Sequence, residues 1–285
     1  SLAYHRGAEI LEDREDLERA KHSYRKALEA LPTFVPSFNA LEQLLERTGD
    51  HEGLVELLTD RAQREDNPVL KARLIERTAR IIEERMGDKE GAVASYKQIL
   101  DIDPTSRSAI GALVRLTREL QLWQDHVEAM LMEADMSEDE QNVVSVLLRV
   151  GEIQESRLED EMAAVDTYQR LMSVDPFYPP ALRNLGRIYY RNRMFEELIN
   201  LHRQELDFTT EPDEKSLLHY KIGKLFEERL DDLDEAAGAY KASLMENPRN
   251  FAATWALYRI YLKREDWLSI IDILEAEANA LPAGP

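Results

Sequence analysis

Histidine is the side chain in this sequence best suited to metal binding or to acid–base chemistry near neutral pH. No two of the histidines stand four residues apart, which is the spacing that places two ligands on one face of a helix. We therefore predict that they fill core or groove positions and bind no metal. The six are His5, His22, His51, His126, His202 and His219.

Other catalytic chemistry finds no support in the sequence. There is no cysteine, which excludes disulfides, thiolate catalysis and zinc–thiolate sites. The phosphate-binding glycine motifs, the zinc-protease motif and the calcium loop are also absent. With 56 acidic residues, pairs of carboxylates could be drawn anywhere and indicate nothing. We predict a protein that is not an enzyme and holds no cofactor.

The charge of the chain limits its partners. It has 285 residues, of which 36 are basic and 56 acidic, giving a net charge of −20. Such an acidic chain repels phosphate backbones and anionic membrane surfaces, so nucleic-acid binding is not expected. No apolar run approaches the roughly 20 residues that span a bilayer, so direct membrane insertion is not expected either.

A period of 72 residues runs through the chain without insertion or deletion. Alanine, leucine, aspartate and arginine each recur at this spacing, and tyrosine and proline show it most clearly. Self-similarity of this kind predicts an array of stacked helical units. The tyrosine and proline rows are Tyr24, Tyr96, Tyr168, Tyr240, Pro32, Pro104, Pro176 and Pro248.

Each 72-residue unit is predicted to hold four helices. In one unit, a helix from Val69 to Met86 ends at Gly87, which suits a left-handed helix end, and Asp88 caps the next helix. That helix carries Ala92 and Tyr96, where the small alanine allows two helices to approach closely. Acidic loops are predicted at 65–68, 138–140 and 211–214, and residues 281–285 are predicted to end the last helix.

These residues resemble the tetratricopeptide repeat family. In the segment from Ala181 to Tyr190, the Leu-Gly-x-x-Tyr pattern matches the first helix of the family's hairpin. Ala164, Tyr168 and Pro176 match its second helix and closing positions. The family repeat has about 34 residues, so 72 is two repeats plus four residues, which are assigned to a longer helix (217–230) and to the acidic loops.

The resemblance covers essentially the whole chain. It implies an all-α fold, a right-handed alpha-alpha superhelix (a TPR-like solenoid) of about eight helical hairpins. We interpret residues 1–285 as a single repeat array and as a segment of a longer protein. The sequence does not fix the compartment; the cytoplasm is favoured and a bacterial periplasm is the alternative.

In the tetratricopeptide family, the first helix of each hairpin lines a concave groove that holds peptides. The resemblance implies that a row formed by Arg115, Arg187 and Arg259 faces this groove, where planar guanidinium groups suit an acidic peptide or a terminal carboxylate. Exposed aromatic side chains beside the row would supply apolar anchors. The predicted ligand-binding residues are Arg115, Arg118, Arg183, Arg187, Tyr190, Arg191, Trp255, Arg259 and Lys263.

A structural explanation of the same arginines stays open. Glu83, Glu155 and Glu227 form the equivalent row on the alternate first helices, so the two rows could pair as ion pairs between repeats. Both roles can coexist.

The favoured function is a scaffold for protein–protein interaction that binds a protein or peptide in its groove. A structural spacer is the alternative, and an enzyme module built on stacked helices is a third possibility. The protein is expected to be a monomer or a weak end-to-end dimer.

Overall fold

The computed structural model describes residues 1–280, with side chains up to residue 278. In this range the chain forms sixteen α-helices and no strand, which confirms the predicted all-α class and its helical hairpins. Residues 281–285, predicted to end the last helix, lie outside the described range. None of the described helices is both long enough and apolar enough to cross a membrane.

The chain divides into two compact units, Ser1–Asn142 and Val143–Pro285. The first unit contains four hairpins, in which each helix packs against the next one along the chain. Its helices are α1 Leu2–Asp13, α2 Leu17–Ala30, α3 Val35–Thr48, α4 His51–Gln63, α5 Pro68–Ile81, α6 Lys89–Ile102, α7 Arg107–Glu119 and α8 Trp123–Asp135.

The second unit repeats this pattern. Helices α10, α11, α12, α13, α14, α15 and α16 begin 144 residues after their counterparts in the first unit, and α9 is the counterpart of α1. The helices are α9 Glu140–Ser156, α10 Glu161–Val174, α11 Pro179–Arg191, α12 Phe195–Phe208, α13 Pro212–Leu225, α14 Leu233–Glu246, α15 Phe251–Lys263 and α16 Trp267–Ala280. That one array continues over residues 1–285 stays a prediction.

Two first helices end in a wider turn than the α-helix. A π-helical turn, Ile82–Met86, follows α5, and a second one, Phe226–Leu230, follows α13. Because a π turn holds more residues than an α turn, it takes up part of the extra length of these hairpins. The predicted helix from Val69 to Met86 is thus confirmed in extent, although its last turn is not α-helical.

The predicted acidic loops are shorter than expected. Helix α5 begins at Pro68, α9 at Glu140 and α13 at Pro212, so part of each loop is the first turn of a helix. The physical reason is that proline is pre-organised for the first helical position and carboxylates are favoured at a helix N-terminus. Both Asp213 and Glu214 lie in such a first turn.

The core is built on the tyrosine and alanine rows. Ala20, Ala92, Ala164 and Ala236 are completely buried, and the four tyrosines of the row are at most 4% exposed. The predicted cap is also confirmed, since Asp88 accepts a hydrogen bond from the Gly91 amide at 2.8 Å. Close helix pairs of this kind bury their apolar faces only when neighbouring hairpins stack on them.

Left-handed residues mark each hairpin turn. Eight residues have positive φ, alternately 34 and 38 residues apart, and only Gly49 and Gly87 among them are glycine. The left-handed conformation costs most residues about 1–2 kcal/mol but costs glycine nothing. The others are Glu15, Gln121, Glu159, Arg193, Asp231 and Glu265.

The same substitution at two glycines should therefore have opposite effects. Gly49 has φ +67°, whereas Gly111 is helical, and at both a new Cβ would meet nothing within 4 Å. We expect Gly49→Ala to destabilise the fold by about 1 kcal/mol and Gly111→Ala to stabilise it by about 0.5–1 kcal/mol. Urea unfolding followed by circular dichroism measures both, and shifts of the same sign would contradict the assignment.

Candidate functional site

The predicted ligand-binding residues lie on one side of the first helices α7, α11 and α15. On α11, for example, Leu185 and Tyr189 are buried while Arg183 and Arg187 are exposed, as the helical period requires. We call the exposed side of the odd-numbered helices the first-helix face. All nine predicted residues are exposed on it. Arg115 and Arg118 belong to the first unit, and the other seven belong to the second.

The three arginines of the row are paired with glutamates. Arg115 Nη2 lies 2.6 Å from Glu83, Arg187 Nη2 lies 2.7 Å from Glu155, and Arg259 Nη2 lies 2.9 Å from Glu227. Each pair joins the first helix of one hairpin to the first helix of the next. The structure thus contains the ion pairs that the sequence left as an alternative to ligand binding.

Each of these glutamates also accepts a hydrogen bond from a tyrosine of the core row. The donor–acceptor distances are 3.4 Å for Tyr96 and Glu83, 2.8 Å for Tyr168 and Glu155, and 2.7 Å for Tyr240 and Glu227. The side chain of Glu155 is only 9% exposed. One carboxylate therefore ties together three consecutive helices. We call this arrangement the Tyr–Glu–Arg junction.

The first hairpin makes the same junction with different residues. Tyr24 donates to Glu12 at 3.1 Å, and Arg47 Nη2 lies 2.7 Å from the same carboxylate. By the 72-residue spacing the two partners would be Leu11 and Gln43. The glutamate stands one residue later and the arginine one helical turn later, which preserves the contact. Conserving the junction across a shift in sequence position indicates that it is needed for packing.

The junction also changes the acidity of the tyrosines. Burial, and then the hydrogen bond to the neighbouring glutamate, raise the pKa of Tyr24, Tyr168 and Tyr240 well above the ordinary value. For Tyr96, burial and the charge of Glu83 raise the pKa. Near neutral pH these hydroxyls are therefore hydrogen-bond donors that leave the glutamate charge for the arginine.

The remaining predicted cations differ in their surroundings. Arg191 pairs with Glu161. Arg118, Arg183 and Lys263 have no ion pair or hydrogen bond within the described residues. Trp255 is 60% exposed and touches only the edge of the Tyr258 ring among the described aromatic side chains.

The cleft between α9 and α11 is acidic. It measures about 690 Å³ and contains Arg187 and Arg191, both already paired with glutamates. Four glutamates line it beside these two arginines, so its local charge is negative. This part of the first-helix face is unfavourable for an acidic ligand. The glutamates are Glu152, Glu155, Glu159 and Glu161.

The cleft between α11 and α13 is basic. It is smaller, about 200 Å³, and Lys221, Lys224 and Arg229 line it against one nearby acid, Glu228. Arg229 donates to the Tyr190 hydroxyl, and its guanidinium carbon lies 5.3 Å from the centre of the Tyr190 ring. Because stacking fixes the guanidinium, this cation is pre-organised at the cleft.

Sequence reasoning missed Lys221 and Lys224 and gave Arg229 only a role at a helix end. The signal was present in the three-residue spacing of the two lysines, which places them on one face of a helix. It was hidden because Arg149 and Glu152 hold the equivalent positions one repeat earlier. A search for repeated rows does not reveal a cluster that occurs in one repeat.

The histidines form no chemical centre within the described residues. His126 is buried, and its Nδ1 lies 3.2 Å from the Thr117 hydroxyl. His202 lies 2.6 Å from Glu205 on its own helix. Between residues 1 and 278, no group of three or more histidine, aspartate or glutamate side chains has the geometry to hold a metal ion.

The junction generates a test of its energetic order. We expect Glu155→Gln to destabilise the second unit by about 1.5–3 kcal/mol, because a charged acceptor of a buried hydroxyl is lost. Arg187→Gln should cost only about 0.2–1 kcal/mol, because the arginine is largely exposed. Urea unfolding of both single variants and the double variant gives the coupling energy. Arg183→Gln is the matched control, and a larger loss for Arg187→Gln than for Glu155→Gln would contradict this order.

Comparison with known families identifies repeats in both units. Models described as tetratricopeptide repeat match residues 181–216, 2–33 and 82–106. The first of these segments contains α11 and α12, where the sequence pattern is clearest. No curated protein sequence matches the chain.

Several solved structures are similar at low identity. The crystal structure of MamA is 15% identical with a TM-score of 0.36, over 70% of this chain and 91% of that one. A tetratricopeptide repeat protein from Parabacteroides merdae is 15% identical with a TM-score of 0.33, over 90% and 97%. YrrB, described as a TPR protein with an unusual peptide-binding site, is 14% identical with a TM-score of 0.31, over 65% and 91%. Likeness at this level carries no information on function.

Proposed function

Because the chain is built of tetratricopeptide repeats, which serve as protein-interaction scaffolds, we propose that it is a non-enzymatic scaffold whose first-helix face binds an acidic segment of a protein or peptide. The observation that carries the proposal is the basic cleft between α11 and α13. Lys221, Lys224 and Arg229 gather there in a chain whose net charge is −20. A local excess of positive charge on an acidic protein selects anionic ligands at that place.

The contacts within this cleft suit a peptide that combines acidic and apolar residues. Lys221 is exposed, and Lys224 lies 3.8 Å from Glu228, too far for a strong hydrogen bond. Tyr190 is 49% exposed, and buried Leu198 and Leu225 form the apolar part of the lining. A carboxylate could reach the cations while a neighbouring apolar side chain covers the tyrosine.

The paired arginines have a double role in this proposal. Arg115, Arg187 and Arg259 each reach their glutamate through Nη2. A guanidinium has five N–H donors, so donors remain for a ligand. Arg118, Arg183 and Lys263 add exposed charge on the same helices. In the cleft between α9 and α11, however, the surrounding glutamates oppose an acidic ligand, and binding is proposed at the α13 side of α11.

A structural spacer is the second candidate. The Tyr–Glu–Arg junction supports it, because the arginine row is engaged in packing in each hairpin where it occurs. A spacer would have no dedicated ligand site. We also propose that the protein is a monomer or a weak end-to-end dimer, since Leu268 and Ile271 on α16 are exposed apolar side chains.

The test uses a labelled heptapeptide with four acidic residues and a central phenylalanine, followed by fluorescence polarisation. We expect saturable binding that weakens as salt rises. Lys221→Glu with Lys224→Glu should lower the affinity at least about tenfold, since two attractive charges become repulsive.

Two controls make the result specific. Arg191→Glu, in the acidic cleft on the other side of α11, should leave the affinity within about twofold. The same peptide with glutamine and asparagine in place of its acids should not bind. Equal binding of both peptides, or no loss in the lysine variant, would favour the spacer.

A further inference from the structure

A second cleft lies on the opposite side of α11 from the first-helix face. It measures about 600 Å³ and is formed by α10 and α12, with Leu185 and Tyr189 of α11 at its floor. On α11 these two residues point about half a turn away from Arg187. A volume of this size is typical of sites that hold small ligands or one to a few side chains. We call it the second-helix cleft.

The second-helix cleft is nearly free of charge. Glu197 is the one charged side chain that lines it, and the polar part of its rim consists mainly of the amides Gln169, Asn200 and Gln204. Met172, Leu201 and Phe208 supply apolar walls. In a chain with 32% charged residues, an uncharged cleft with an apolar interior is unusual. Its lining repels charged ligands and suits apolar groups with hydrogen-bonding neighbours.

The corresponding cleft of the first repeat has the opposite character. It measures about 500 Å³ and lies between α2 and α4. Five charged side chains line it, and Arg25 and Glu56 form an ion pair across it at 3.4 Å. In the second repeat, Lys97 and Asp125 join the same two helices at 2.6 Å. The charged residues of the first cleft are Arg25, Glu29, Glu56, Asp60 and Arg64.

A single position accounts for most of this difference. Residues 25, 97, 169 and 241 occupy one row of the 72-residue period and are Arg, Lys, Gln and Lys. Gln169 is the uncharged member, and its amide donates to the Tyr189 hydroxyl at 2.8 Å instead of crossing to α12. The ion pair that bridges the walls in the first two repeats is thereby lost in the third.

Two further features face this cleft. Asn200 and Gln204 are exposed and have no hydrogen-bond partner within the described part of the chain. Beside them, Phe177 and Phe208 stack on each other with ring centres 5.8 Å apart, although they are 42% and 49% exposed. The positions equivalent to this aromatic pair are Thr105 and Met136 in the preceding repeat. Exposed aromatic groups beside unpaired amides are typical of recognition surfaces.

We propose that the second-helix cleft binds an extended, uncharged peptide segment with one bulky apolar side chain. The apolar side chain would fill the space over Leu185 and Leu201. Amides both donate and accept hydrogen bonds, as the backbone of an extended peptide requires. Glu197 and Gln204 are seven residues apart, about 10 Å along α12, which matches about three residues of extended chain.

This second site goes beyond the proposed function and does not depend on it. The acidic segment binds on the first-helix face, whereas the uncharged segment binds on the other side of α11. One chain could therefore hold two partners of different chemistry. Failure of either site leaves the other intact.

The experiment is a selection of random dodecapeptides displayed on phage against the whole chain, followed by titration of the enriched peptides in solution. The expected sequences carry one aromatic or long aliphatic residue flanked by serine, threonine, asparagine or glutamine. Gln169→Lys, which restores the residue found at positions 97 and 241, should weaken their binding at least about tenfold by pairing with Glu197 across the cleft.

Matched variants separate the possible outcomes. Arg183→Glu on the first-helix face should leave the affinity unchanged, and circular dichroism should show that Gln169→Lys retains its helices. The proposal is overturned by an absence of enrichment, by peptides that bind Gln169→Lys as well as the original chain, or by binding lost in Arg183→Glu alone. Binding of anilinonaphthalene sulfonate that Gln169→Lys abolishes, without enriched peptides, would assign the cleft to a small apolar molecule and overturn the peptide proposal.

Discussion

The hydrogen bond from a buried tyrosine to a half-buried glutamate is the interaction on which the stacking of these hairpins depends. A tyrosine hydroxyl placed in a core must find an acceptor, since an unpaired one costs about 1–3 kcal/mol. Here the acceptor is a carboxylate near the C-terminal end of the preceding helix, and that carboxylate in turn requires a cation. The arginine comes from the next hairpin, so satisfying one buried hydroxyl fixes the position of three helices.

This chain of requirements explains why the arginine row exists in an acidic protein. Arg115, Arg187 and Arg259 are present first because the glutamates need them. The first hairpin supports this interpretation, since Glu12 and Arg47 restore the junction from shifted positions. Charge available for a partner must then be sought among cations outside the junction. In the second unit these are the lysines of α13 and the stacked Arg229.

Periodicity allowed most of the fold to be predicted from the sequence. The helices, the caps at Gly87 and Asp88, and the buried tyrosine and alanine rows all follow from spacing. The π turns and the left-handed Gln121 and Glu159 could not be predicted, because non-glycine residues enter these conformations only when packing requires it. Both clefts were missed for a related reason. They depend on residues such as Gln169 and Lys221 that depart from the repeat, whereas a search for rows reveals only what the repeats share.

The junction is tested most directly by titrating the tyrosines. Absorbance at 295 nm reports ionisation of the eleven tyrosines, in the native protein and in urea. Because burial and glutamate raise the pKa of Tyr24, Tyr168 and Tyr240 in the folded chain, the native curve should lag behind the curve in urea, which is centred near pH 10. The free energy of unfolding should be retained below pH 10 and fall as the pH rises above it, since the unfolded chain releases these protons first. Superimposed native and unfolded titration curves would contradict the account.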